Sequence, residues 1–192
     1  MGDGHGRRTA IGSIAPWGKG MSAYDVGLLV LRVVFGLTLA AHGYNKFFGG
    51  GRIPGTAAWF DSIGMRPGVL HARLAAGAEL AAGIGLALGM LTSLCAAAFV
   101  ALMIVAGWTV HRDRGFFIVG DGWEYNLVLA AGAAGVATLG PGRISVDHLL
   151  FGNGFLDGWA GLGISIAGGV IGAVVQLGVF YRPSVRAAAA NE

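Results

Sequence analysis

Apolar residues run along this chain in long blocks, from about Val26 to Lys46, His71 to Met90, Leu94 to Val110, Glu124 to Leu139 and Trp159 to Tyr181. A bilayer core of ~30 Å takes ~20 helical residues, so the pattern predicts membrane-spanning helices, five in all. Punctuation between the blocks supports that reading. Gly49-Gly50-Gly51 ends the first helix and Pro54 blocks its continuation, Arg66-Pro67-Gly68 turns the chain, and Gly140-Pro141-Gly142 stops the fourth block. Between Thr56 and Met65, the aromatic pair Trp59-Phe60 predicts a short helix lying at the membrane surface.

Polar residues inside these blocks are few. Arg32 interrupts the first span and Glu79 the second, although a charge at a helix centre costs about 3 kcal/mol on insertion scales. Such groups face protein, pair with one another and mark function. Arg32, Phe35, Leu39, His42 and Lys46 advance by threes and fours and share one helix face. Arg32 and His42 are nonetheless roughly 15 Å apart along the axis, too far to touch. Ala75 and Gly83 flank Glu79 by one turn each, a small-residue stripe that faces other helices. Gly85 with Gly89 and Gly168 with Gly172 are similarly spaced for close packing.

Alternation of the spans sorts the polar groups by membrane face. His42, Asn45, Lys46, His71, Glu79, His111, Arg112, Glu124 and Asn126 fall on one side, and Arg143, Asp147 and His148 on the other. Five spans put the termini on opposite sides. Apart from Arg32, four Lys and Arg (Arg7, Arg8, Lys19, Arg143) lie on the N-terminal face and eight on the other. The positive-inside bias then places the polar cluster in the cytoplasm and the N-terminus outside.

Composition narrows the chemistry. Of 192 residues 55% are hydrophobic and 12% charged, half the charge content of a soluble domain. A formal charge of +3, with basic residues flanking apolar spans, argues for lipid headgroup contacts and against nucleic acid. A single cysteine, Cys95, excludes an intrachain disulfide or a Cys-x-x-Cys couple, so redox work requires a quinone, a cofactor or a partner protein. Cys95 itself reads as a small core residue. Arg7-Arg8 lacks the flanking pattern of a twin-arginine signal, and the first span, too long for a signal-peptide core, reads as a retained anchor.

Three chemistries compete for the one-sided cluster. The first is a structural network, with Glu79 paired to Arg32 or Lys46 and capped by His42. The second is a site for a quinone or lipid headgroup, in which His and Lys donate to a carbonyl while Trp108, Phe116 and Phe117 pack on a ring. The third is a metal or haem held by His42, His71 or His111, for which no ligand motif such as His-Glu-x-x-His is present. Asp147 reads as a cap for the segment after the fourth span. Trp17, Trp59, Trp123 and Trp159 read as interfacial anchors, and His5 as a tail residue.

Leu31-Arg32-Val33-Val34-Phe35-Gly36 followed by His42-Gly43-x-x-Lys46-Phe47 resembles the opening of the DoxX/DoxD-like membrane proteins. Glu79 in a glycine-rich second span resembles the same family, as do Trp123-Glu124-Tyr125-Asn126 and the run Gly140-Pro141-Gly142-Arg143-Ile144-Ser145-Val146-Asp147. The resemblance covers about Val26 to Leu150. It implies an all-α membrane protein, a four-helix bundle, here with an additional fifth C-terminal transmembrane helix. It also implies redox associations: some relatives resemble the membrane subunit of thiosulfate:quinone oxidoreductase, others join oxidative-stress complexes with superoxide dismutase and a sulfurtransferase. Arg32, His42, Lys46 and Glu79 match the family's recurrent polar positions.

The expectation is therefore a multi-pass protein of the cell membrane. A tail (1–22) precedes a four-helix membrane domain (23–150), a connection with a fifth helix (151–182) and a second tail (183–192). Its function is that of a redox-associated subunit binding a quinone or lipid headgroup through Arg32, His42, Lys46, Glu79 and His111, with no metal and with other membrane subunits as partners. The alternative is a non-enzymatic accessory subunit of a larger respiratory or oxidative-stress complex.

Overall fold

The computed structural model describes residues 22–152 and 154–183. The predicted tails lie outside them, apart from Ser22 and Pro183, and so do His5, Trp17, Arg7, Arg8 and Lys19. Eight α-helices occur among the described residues: α1 (Ala23–Phe48), α2 (Arg52–Ser62), α3 (Gly68–Leu88), α4 (Thr92–Ala106), α5 (Glu124–Leu139), α6 (Val146–Phe151), α7 (Gly158–Gly163) and α8 (Gly169–Phe180). A π turn, Gly107–His111, and a 3-10 turn, Arg112–Arg114, prolong α4, and a second π turn, Ile164–Gly168, joins α7 to α8.

Among the described residues, four helical stretches are long and apolar enough to cross a membrane: Ala23–Phe48, Gly68–Leu88, Thr92–Arg114 and Gly158–Phe180. The C-terminal block is one of them. The block predicted as the fourth span is α5, whose 16 residues reach about 24 Å, short of the ~30 Å hydrocarbon core. By length, therefore, four of the five predicted spans are shown among the described residues.

Local chemistry moves several boundaries. The first helix begins at Ala23 rather than near Val26, because Ser22 and Asp25 form a capping box that satisfies its free amides. Pro54 lies inside the first turn of α2 instead of ahead of the helix, since an amide there has no intrahelical acceptor to lose. The segment after α5 folds as α6 with Ser145 as its N-cap, the Ser145 hydroxyl accepting from the His148 amide at 3.1 Å.

Packing is governed by small residues, and α3 is the centre of the bundle, half its span residues being buried. A Cβ on Gly36 of α1 would stand 2.5 Å from the Gly83 carbonyl oxygen, and one on Gly83 would stand 2.5 Å from the Ala40 nitrogen. Backbone meets backbone there, with the Ala87 Cβ as the nearest side-chain atom, the close approach that membrane helices gain from glycine. Gly85 packs against Cys95 of α4, and Gly169, rather than Gly168 or Gly172, makes the tight contact of α8 with Val100. Leu39, Leu86, Phe99, Val100 and Leu129 form the main core. Val30, Val34 and Leu37 of α1 face outward, as suits a chain whose solvent is hydrocarbon. Backbone hydrogen bonds from Arg66 to Phe180 and from Arg182 to Gly64 tie the end of α8 to the α2–α3 connection.

Candidate functional site

The alternation argument places the end of α1, the start of α3, the end of α4 and the start of α5 at one level, and side chains from all of them line a single cavity of about 230 Å³. His42 and Lys46 come from α1, Glu79 from α3, Thr109 and His111 from the π turn, Tyr125 and Asn126 from α5. The Lys46 ammonium donates to both carboxylate oxygens of Glu79, at 2.6 and 2.8 Å. Their side chains are 20% and 11% exposed, so the pair sits in the cavity wall and not on open surface. Gly43 makes the pairing possible: a Cβ there would be 2.6 Å from the Leu80 nitrogen and 3.0 Å from the Glu79 Cβ. Helix contact one turn away thus sets the reach of the ion pair.

The π turn contributes directly. One extra residue per turn rotates the register, and such bulges recur at functional sites. Here Thr109, Val110 and His111 turn toward the cavity while Trp108 and Arg112 turn to the outer flank, the Arg112 guanidinium lying 4.6 Å over the Trp108 ring. His111 is oriented through Nδ1, which is 2.6 Å from the Asp121 carbonyl oxygen. The aromatic wall is Trp59, Phe60, Phe99 and Tyr125. Phe116 and Phe117, expected to pack on a ring, belong instead to an exposed loop, held by the Glu124 carboxylate accepting from the Ile118 amide at 3.0 Å. Trp108 lines a neighbouring cavity.

Four of the five expected site residues, His42, Lys46, Glu79 and His111, come together here. Arg32 does not. It is fully buried, as its place in an apolar span requires, but it lies toward the opposite end of the bundle, donating to the Ala87 carbonyl at 3.4 Å and to the Ile144 carbonyl. The expectation of one hollow shared by Arg32 with His42 and Lys46 is corrected: ten and fourteen residues of helical rise separate Arg32 from them, and a cation is best placed against carbonyls at the C-terminal end of α3. Asp147 is corrected too. It caps α4 from across the fold, accepting from the Leu91 amide at 2.7 Å, the Thr92 amide at 2.9 Å and the Thr92 hydroxyl at 2.7 Å. Asp25 on the same face accepts from the Arg143 amide at 2.9 Å.

His71 is also apart from the cavity. It is fully buried between Phe60 and Phe180, with Nδ1 3.3 Å from the Gln176 amide nitrogen and Nε2 without a hydrogen-bond partner. Gln176 itself lines the cavity and was missed from sequence. Its signal was present, an amide between Val175 and Leu177 in an apolar span. Among the described residues no group of three or more His, Cys, Asp or Glu is placed to hold a metal ion.

A bundle of apolar-surfaced helices around a charged cavity defines a multi-pass integral membrane protein. Comparison with known proteins refines that class. The DoxX family model matches residues 27–112, from α1 through the π turn. A Bacillus subtilis protein named "Putative oxidoreductase CatD" is 30% identical over 129 residues, 67% of this chain and 90% of that protein. A Haemophilus influenzae protein named "Uncharacterized protein" is 27% identical over 133 residues, 65% of this chain and 83% of that one. No solved structure matches. The chain belongs to the DoxX family.

Proposed function

We propose that this protein is a redox-associated membrane subunit that binds a quinone headgroup in the cavity between α1, α3, α4 and α5. The observation that carries the reading is the Lys46–Glu79 pair set into the wall of an aromatic-lined cavity inside an apolar bundle. Ligand sites have this make-up, mostly apolar walls with a few convergent polar groups. In this reading Lys46 donates a hydrogen bond to one ring carbonyl, Glu79 holds the ammonium in place, and His42 and His111 supply further polar contacts at the rim. Reduction of the quinone takes two electrons from a redox partner and two protons through the Lys46–Glu79 pair. The oxidoreductase name of the Bacillus subtilis relative agrees with this. In the same reading α5 crosses as a fifth span by recruiting flanking residues, and the cavity faces the cytoplasm.

The rival reading is an accessory subunit that carries no chemistry. The outer helix Gly158–Phe180 favours it, since only 17% of its span is buried within the chain and its free face suits a neighbouring subunit. Quinone binding separates the two. Purified protein in nanodiscs is titrated with a ubiquinone analogue while tryptophan fluorescence is followed. A charge-assisted hydrogen bond is worth about 1.5–3 kcal/mol, so Lys46→Met weakens binding roughly 10- to 100-fold. His42→Leu, a change at an exposed rim position, gives a smaller loss without threatening the fold. Absence of saturable binding by the wild type removes the quinone reading.

A further inference from the structure

The cavity holding Lys46 and Glu79 is small, about 230 Å³, below the ~300–1,000 Å³ typical of whole-ligand pockets. It has room for a ring but none for a long tail. A second cavity of about 280 Å³ lies against it, between α4 and α5, and the two share Met103 and Asn126 in their walls. The second cavity is lined by Ile104, Gly107, Trp108, Trp123, Leu127 and Ala130, besides the shared pair and Arg112. Trp108 and Leu127 are each 49% exposed on the outer flank of the helices, so this space opens sideways to the bilayer. Arg112 and the two tryptophans mark its upper limit at headgroup level.

The partition between the cavities is weakly held. Asn126 Nδ2 donates to the Met103 thioether sulfur at 3.9 Å, a poor acceptor on a flexible side chain. Little free energy is lost when this contact opens, and the freed amide becomes a donor to a carbonyl passing it. Gly107, opposite, leaves the passage without a side chain.

We infer that the groove between α4 and α5 is a tail site and lateral portal, so that the ligand is a membrane-borne amphiphile whose hydrocarbon tail lies along Gly107, Leu127 and Ala130 while its ring passes Asn126 into the polar cavity. The inference rests on the quinone reading and specifies its substrate class: a long-tailed quinone drawn from the bilayer, not a tail-less solute from water.

Filling the groove tests it. A Cβ on Gly107 meets only Asn126 Cβ at 3.7 Å and Cγ at 3.9 Å, ordinary contact distances, so Gly107→Leu places its bulk in the groove without a backbone clash. Ala130→Leu fills the same space from α5, and circular dichroism verifies both folds. Binding of 2,3-dimethoxy-5-methylbenzoquinone and of its decyl-tailed derivative is measured for each variant in phosphatidylcholine nanodiscs. The variant-to-wild-type ratio cancels partition of the probe into lipid. Expected is at least a tenfold loss of affinity for the decyl probe and less than twofold for the tail-less one. Equal loss for both probes, or no loss for either, overturns the tail site and leaves the ring cavity standing. Failure of the wild type to bind either probe overturns the cavity reading and the tail site together.

Discussion

Replacing Gly83 by alanine tests whether α1 and α3 meet through direct backbone contact at glycine. The added Cβ would stand 2.5 Å from the Ala40 nitrogen and 2.6 Å from the Gly36 carbonyl oxygen, both backbone atoms that cannot rotate away. The helices must separate by several tenths of an ångström, and overpacking of this kind costs about 1–3 kcal/mol. Gly77→Ala on the same helix is the control, because a Cβ there meets nothing within 4 Å. Helix propensity favours alanine over glycine by about 0.5–1 kcal/mol in both variants, so it cancels in the comparison. The remaining difference, about 2 kcal/mol, corresponds to roughly 4–8 °C in Tm for a chain of this size. Thermal unfolding in one detergent, followed by circular dichroism, reads it directly. Gly83→Ala is expected to melt below the wild type and Gly77→Ala at or above it. Equal melting temperatures would refute the claim that α1 and α3 touch through glycine.

The opposite face of the bundle should behave as structure and not as site. Arg32→Met strips the donors from the Ala87 and Ile144 carbonyls, lowering stability by about 2 kcal/mol while leaving quinone affinity within twofold; a tenfold loss of affinity at unchanged Tm would return Arg32 to the site. Asp147→Ala removes the cap on α4, at a cost of about 2 kcal/mol, and amide exchange at Leu91 and Thr92 should accelerate well beyond that at Val100; uniform protection across α4 would contradict the capping role.

Much of the architecture was legible in the order of residues because membrane insertion depends on local composition. Apolar blocks near 20 residues, glycine stops and prolines at turns locate helices without reference to any partner. The assignment of His42, Lys46, Glu79 and His111 to one level follows from alternation alone, and their shared cavity agrees with it. Burial of Arg32 was equally readable, since hydrocarbon does not tolerate a guanidinium. Depth along a helix was readable too, but it did not reveal which carbonyls would meet that cation.

What only tertiary structure decided is which neighbours complete each site. Gln176 reaches the cavity from a helix about 100 residues beyond Glu79, and Asp147 caps a helix that begins 55 residues before it. Such pairings depend on how α8 and α6 dock, which the sums of many weak backbone and side-chain contacts settle and no local pattern encodes. The π turn is the sharpest case: its extra residue turns Trp108, expected to pack on a ring in the site, to the outer flank while His111 faces the cavity as expected. Hydropathy determined that these helices enter the bilayer. Glycine contacts and that single extra residue determined what they hold between them.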